Sequence, residues 1–63
     1  MSKMIDAQEV AEQLDVSKGY AYRVIRMLNS ELKDKGRIVV PGKVSRDYFE
    51  YRYFGLEKTP REM

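Results

Sequence analysis

Ala7-Gln-Glu-Val-Ala-Glu-Gln-Leu-Asp-Val-Ser-Lys-Gly-Tyr-Ala-Tyr-Arg-Val24 reads as a helix, a tight turn and a second helix. Val10, Ala11 and Leu14 recur three and four residues apart, so they share one helical face. A second apolar face begins at Ala21 and continues through Val24, Ile25 and Leu28. Asp15-Val16-Ser17 lies between the two. Asp15 tolerates the left-handed conformation that a sharp helix exit requires. Val16 can plug the angle between the helices, and Ser17 is a strong N-cap for the second. Small Ala11 and Ala21 fall where two steeply crossing helices approach most closely.

In this arrangement the stretch resembles the helix-turn-helix superfamily. The residues that carry the likeness are Ala11 and Leu14 in the first helix, Asp15 and Val16 in the turn, and Ala21 and Val24 in the second helix. Asp15 stands where that superfamily most often has glycine. The resemblance implies that the second helix enters the major groove of duplex DNA. An ordinary helical hairpin uses the same apolar spacing, and the charge pattern is what weighs against it.

Working outward, Ile5-Asp6-Ala7-Gln8-Glu9 has the marks of a helix start. Asp6 caps, Glu9 completes a capping box, and Ile5 with Val10 can form the hydrophobic staple. Residues 1–5 are expected to fray or to form a short extended lead-in, with Met4 or Ile5 turned toward the core. The second helix is expected from Lys18 to about Lys35, ended by Gly36. Its apolar face is Ala21, Val24, Ile25, Leu28 and Leu32; Gly19, Tyr22, Arg23 and Arg26 lie opposite, with Lys18 and Lys33 at the margin. Gly19 is a poor helix former that fits close approach to a sugar-phosphate backbone, although a plain helix-start glycine is equally consistent.

After Gly36 the period changes. Arg37-Ile-Val-Val-Pro-Gly-Lys-Val44 is a β-branched run broken by Pro41-Gly42, a turn dipeptide suited to a type II turn or a slightly longer loop. It is read as a small two-stranded hairpin with Ile38 and Val40 facing one side, leaning on the helices as a wing. A plain connecting loop is the alternative. Ser45 then caps a third helix running to Phe54, with Asp47 in its first turn and Gly55 as its stop. Five aromatic residues in that helix imply that much of the core comes from it, and Tyr48 with Arg52 and Phe49 with Tyr53 are neighbours four apart. The expected organisation is one domain over residues 1–55 and a flexible C-terminal tail over 56–63.

The chain has 63 residues, near the lower limit for a single self-sufficient core. There is no cysteine and no histidine, which removes disulfides, thiolate and imidazole metal ligands and the usual general base. With little room for a cleft, neither an enzyme nor a cofactor or metal site is expected. No signal peptide and no stretch of transmembrane length is apparent, so a cytoplasmic protein without a membrane partner is expected.

The net charge of +2 conceals a segregation. Residues 1–15 carry Lys3 against Asp6, Glu9, Glu12 and Asp15. Residues 16–46 carry Lys18, Arg23, Arg26, Lys33, Lys35, Arg37, Lys43 and Arg46 against only Glu31 and Asp34. A basic block coincident with the second helix suits a polyanion, whereas cations that merely coat an exposed face need no such coincidence. The candidate DNA-contacting residues are therefore Ser17, Lys18, Gly19, Tyr22, Arg23 and Arg26 on the second helix, with Arg37, Lys43 and Arg46 on the wing and its base.

Beyond the helix-turn-helix, Asp6-Ala-Gln-Glu-Val-Ala-Glu-Gln-Leu-Asp-Val-Ser17 is similar to the opening of the winged-helix module of MerR-type regulators and of small phage or transposon excisionases. The run from Tyr20 through Gly36 to Arg37-Ile-Val-Val-Pro-Gly-Lys-Val-Ser-Arg-Asp-Tyr-Phe49 resembles the small excisionases of Gram-positive integrative elements. The resemblance covers nearly the whole chain. It implies a mainly α fold with a small β-hairpin, a winged helix-turn-helix of three helices plus wing. It also implies a non-catalytic factor that binds and bends double-stranded DNA beside an attachment site and helps an integrase excise the element. A small transcriptional regulator of a mobile element, or a protein-interaction adaptor that has kept the fold, are the other expectations. No heptad seam follows the third helix and the apolar side chains of the first two are needed for the protein's own core, so a monomer is expected in free solution. Because the N-terminal segment is acidic and the middle basic, copies are expected to bind DNA cooperatively, head to tail.

Overall fold

The computed structural model describes residues 3–55. In order they form β1 (Met4–Asp6), α1 (Ala7–Leu14), α2 (Lys18–Asp34), β2 (Lys43–Ser45) and α3 (Arg46–Phe54). The tail expected over 56–63 lies outside the described residues.

Short polar side chains and glycines set the helix boundaries. Asp6 sits in extended conformation and its carboxylate accepts the Glu9 amide at 3.0 Å, starting α1. Asp15 ends that helix in the left-handed region, at φ 57° and ψ 50°. The Val16 amide then donates to the Ala11 carbonyl at 3.0 Å, closing the turn. Ser17 Oγ accepts the Tyr20 amide at 3.1 Å and starts α2. At the far end Gly36 takes φ 82°, its amide donates to Lys33 O, and the Arg37 amide donates to Leu32 O at 2.9 Å. This pair of bonds is a Schellman motif, and the positive φ at its C′ position explains the glycine. Ser45 Oγ accepts the Tyr48 amide at 3.3 Å and starts α3, and Gly55 ends it in the left-handed region at φ 68°.

The core is built from Ile5, Ala7 and Val10 on one side and Ala21, Val24, Ile25, Leu28 and Leu32 of α2 on the other, closed by Val44 and Phe49. Ile5 and Val10 are both buried, as a hydrophobic staple requires. Glu9, however, does not close a capping box: its carboxylate accepts from Arg46 at 2.7 Å and lies 3.4 Å from the Gln13 amide nitrogen.

The two strands are antiparallel, with Met4 opposite Ser45, Ile5 opposite Val44 and Asp6 opposite Lys43. The expected extended lead-in is thus one of the strands. The expected hairpin within 37–44 is not formed. Residues 37–40 run as a loop, and Ile38 is 97% exposed. The physical reason is burial: pairing Val44 with Ile5 removes both side chains from water, whereas a local two-stranded ribbon would have stood alone and been marginal. Val40-Pro41-Gly42-Lys43 does form the expected type II turn, with Gly42 at φ 81° and the Lys43 amide donating to Val40 O at 3.0 Å. Leaving Ile38 in water forgoes about 1.5–3 kcal/mol of burial free energy. The fold is mainly helical, three helices and a small antiparallel sheet, a winged helix-turn-helix whose wing is the loop over 37–42.

The third helix contributes less to the core than its composition implies. Phe49 is fully buried, Tyr48 is half-buried, and Tyr51, Tyr53 and Phe54 are exposed. Aromatics at 48, 49, 51, 53 and 54 point around the whole circumference of a helix, and only one stripe can face inward. Phe49 therefore carries the packing, with the Tyr53 ring 5.5 Å away and the Phe54 ring edge-on at 5.7 Å. Truncating it to alanine would cost roughly 3–5 kcal/mol, a large part of the stability of so small a domain. Glu31 of α2 ties α3 down from outside, accepting from Tyr48 Oη at 2.6 Å and from Arg52 at 2.8 and 2.7 Å. Among the described residues no helix is long and apolar enough to cross a membrane.

Candidate nucleic-acid interface

The side of α2 turned away from the core carries Gly19, Tyr22, Arg23, Arg26, Ser30 and Lys33, all exposed. Each lies three or four residues from another of the set, and together they make one stripe along the helix. Lys18 is exposed at its start, beside the capping Ser17. No acidic residue occurs between Val16 and Ser30. Glu31, the first to follow, is turned to the opposite neighbour: two hydrogen bonds from Arg52 and one from Tyr48 hold its carboxyl at a pKa of about 2. Asp34, exposed at the last turn, is the one acidic side chain of α2 on the stripe's face, so the positive potential is uncancelled by its own helix from Lys18 to Ser30.

Beside the stripe the loop over 37–42 forms the second wall of an open groove of about 440 Å³. Tyr22, Arg26, Ser30 and Lys33 line it from α2, and Pro41 and Gly42 from the loop. Asn29 holds this wall in place. Its side chain is 9% exposed, and its Nδ2 donates to the carbonyls of Val40 at 3.2 Å and Lys43 at 2.8 Å. Two carbonyl acceptors identify that end of the amide as the nitrogen. The Asn29 Oδ1 is buried and meets no donor among the described residues. The other end of the loop is pinned by the Schellman bonds at Gly36 and Arg37.

Of the residues singled out from the sequence, Lys18, Gly19, Tyr22, Arg23 and Arg26 lie together on α2 with Ser17 as its N-cap, and Arg37 and Lys43 flank the turn of the loop. Arg46 directly follows β2 as the first residue of α3, and its guanidinium lies 2.7 Å from the Glu9 carboxylate, which raises its pKa. Asn29 was not legible as a functional residue. The available signal was a lone amide at the edge of an apolar face, four residues after Ile25, where a buried polar group demands a partner. Gly19 has nothing nearer to a built Cβ than Ser17 Oγ at 4.0 Å, so the protein's own packing does not require it.

Fold and surface together define a winged helix-turn-helix with a basic outer stripe on its second helix. No family model matches the chain, and no solved structure matches it. The sequence is 37% identical over 51 residues to the ICEBs1 excisionase of Bacillus subtilis (strain 168), an alignment covering 81% of this chain and 80% of that protein. The chain belongs to the excisionase family.

Proposed function

We propose that this protein is a recombination directionality factor that binds double-stranded DNA beside an attachment site, bends it, and promotes excision by a partner integrase. The observation that carries the reading is the basic stripe of α2, free of acidic residues from Lys18 to Ser30, facing a groove whose far wall is a loop pinned at both ends. A helix of this width fits the major groove, where Arg23 and Arg26 reach base edges, and a bidentate arginine–guanine contact is the commonest specific one. Arg37 on the loop and Lys43 at its far end, the first residue of β2, neutralise phosphates and add affinity that weakens with salt. Membership of the excisionase family supports excision over other uses of the same fold.

The protein supplies no catalysis in this scheme; it acts on chromosomal DNA in the cytoplasm by shape and charge. Bending costs roughly 1–6 kcal/mol for a smooth bend, and adjacent copies share that cost. Exposed Asp6, Glu12 and Asp15 give each copy an acidic end for the basic middle of the next, a heterologous contact that extends along DNA without closing. A nuclease footprint on the element that encodes the protein tests the reading. Tandem protected sites beside the attachment site are expected. A single palindrome over a promoter would assign a transcriptional regulator instead, and no protection anywhere would favour the protein-interaction adaptor.

A further inference from the structure

Ile38 has no role in the fold. It is 97% exposed, yet it is not at a frayed end: the Schellman bonds hold Gly36 and Arg37, and the Asn29 amide with the type II turn holds Val40 to Lys43. Between these anchors Val39 packs on the core, so Ile38 and Val40 on either side of it face outward, Val40 at 45% exposure. The loop thus presents a branched apolar tip from a braced base. Its flanks are cationic, Arg37 on one side and Lys43 on the other, and the loop shares its groove with Arg26 and Lys33 of α2.

We propose that Ile38 is an apolar wedge that enters the minor groove next to the site read by α2 and partly unstacks one base step, kinking the duplex. The inference rests on the reading that DNA lies across α2, and it adds the residue that does the bending. An apolar tip flanked by cations suits this occupant: Arg37 and Lys43 meet the phosphates bordering the groove, while the side chain between them offers no hydrogen bond and gains only by leaving water. A protein partner would equally cover an apolar side chain, but the cationic flanks and the continuity with the basic stripe favour a polyanion. A wedge also needs a support that does not yield when the stack resists, and the Asn29 clamp and the Schellman motif provide one at each end of the loop. The step entered should be a flexible pyrimidine–purine step, where unstacking is easiest.

The test uses the full chain and the duplex that the wild-type protein enriches from a randomised pool. A fluorescent adenine analogue whose emission rises on unstacking is placed at each step in turn, and dyes at the two ends report the bend, all at saturating protein. The wild type should raise emission at one step beside the α2 site and bring the ends together. Ile38→Ser should lose both signals while still binding, and Ile38→Leu should keep both. Because Ile38 packs against nothing, thermal unfolding of both variants should match the wild type, which separates the effect from misfolding. If Ile38→Ser retains the emission change and the bend, or if the wild type shows neither on a duplex it binds, the wedge is wrong while DNA binding stands. If the wild type enriches no duplex at all, the DNA-binding reading fails and the wedge fails with it.

Discussion

Replacing Asn29 with alanine removes the amide that bonds the Val40 and Lys43 carbonyls, at 3.2 and 2.8 Å, from a position only 9% exposed. Each hydrogen bond of this kind contributes about 0.5–1.5 kcal/mol net, so Asn29→Ala should cost roughly 1–3 kcal/mol if both are lost. In a domain this small each kcal/mol shifts the thermal midpoint by about 4–8 °C. Urea and thermal unfolding followed by circular dichroism read the change, and hydrogen exchange of the Lys43 amide reads the release of the loop. Asn29→Asp sharpens the test, because a carboxylate has no proton to donate and would face two carbonyl oxygens. Its folded-state pKa should be raised above the unfolded value. The variant should then hold its stability below the carboxylate range and lose it as pH rises, falling below Asn29→Ala near neutrality. An Asn29→Ala protein within about 0.5 kcal/mol of wild type would refute the clamp. So would an Asn29→Asp protein whose stability follows the alanine variant at every pH.

Three other outcomes follow from the structure. Gly19→Ala should leave the fold intact or stabilise it by up to about 1 kcal/mol, since a Cβ there has ample space, yet weaken DNA binding measured by anisotropy; unchanged affinity would make the glycine a plain helix-start residue. Glu31 has its pKa lowered from 4.5 to about 2 by Arg52 and Tyr48, so its contribution is present above pH 4.5 and is lost as pH falls toward 2. Glu31→Gln should therefore be less stable than wild type at neutral pH, with the two unfolding midpoints converging in acid; a constant gap down to pH 2 would contradict the pairing. Sedimentation should show a monomer without DNA, and affinity per site should rise from duplexes with one site to those with several. Equal affinity on all of them, or a stable free dimer, would remove the head-to-tail contact.

The local chemistry was legible. Asp6, Ser17 and Ser45 as caps, Asp15 and Gly36 as exits and Pro41-Gly42 as a type II turn all act through neighbours within about one helical turn, so residue type alone reveals them. What was hidden acts over distance. Ile5 and Val44 pair across most of the chain in strands of three residues each, too short to show alternation. Arg46 was expected at the base of the wing, where it directly follows β2, but its ion pair with Glu9, far away in sequence, was not legible. The third helix misled for another reason: composition counts aromatics without saying which of them share a face. The basic stripe was visible from periodicity, whereas the groove required knowing that the loop folds back onto α2 and that Asn29 fastens it there.

The most direct measurement is a salt titration of duplex binding by wild type and Arg23→Ala, on the sequence that flanks the attachment site of the encoding element. If about five phosphates are neutralised by the stripe and the loop, the wild type should show log K falling against log salt with a slope of roughly −4 to −5. Arg23→Ala should lose roughly 1–3 kcal/mol on that sequence and discriminate less at one base pair, with its fold unchanged because Arg23 is exposed. Binding that is weak, indifferent to salt, or as tight and selective in Arg23→Ala as in wild type would contradict the claim that α2 reads DNA.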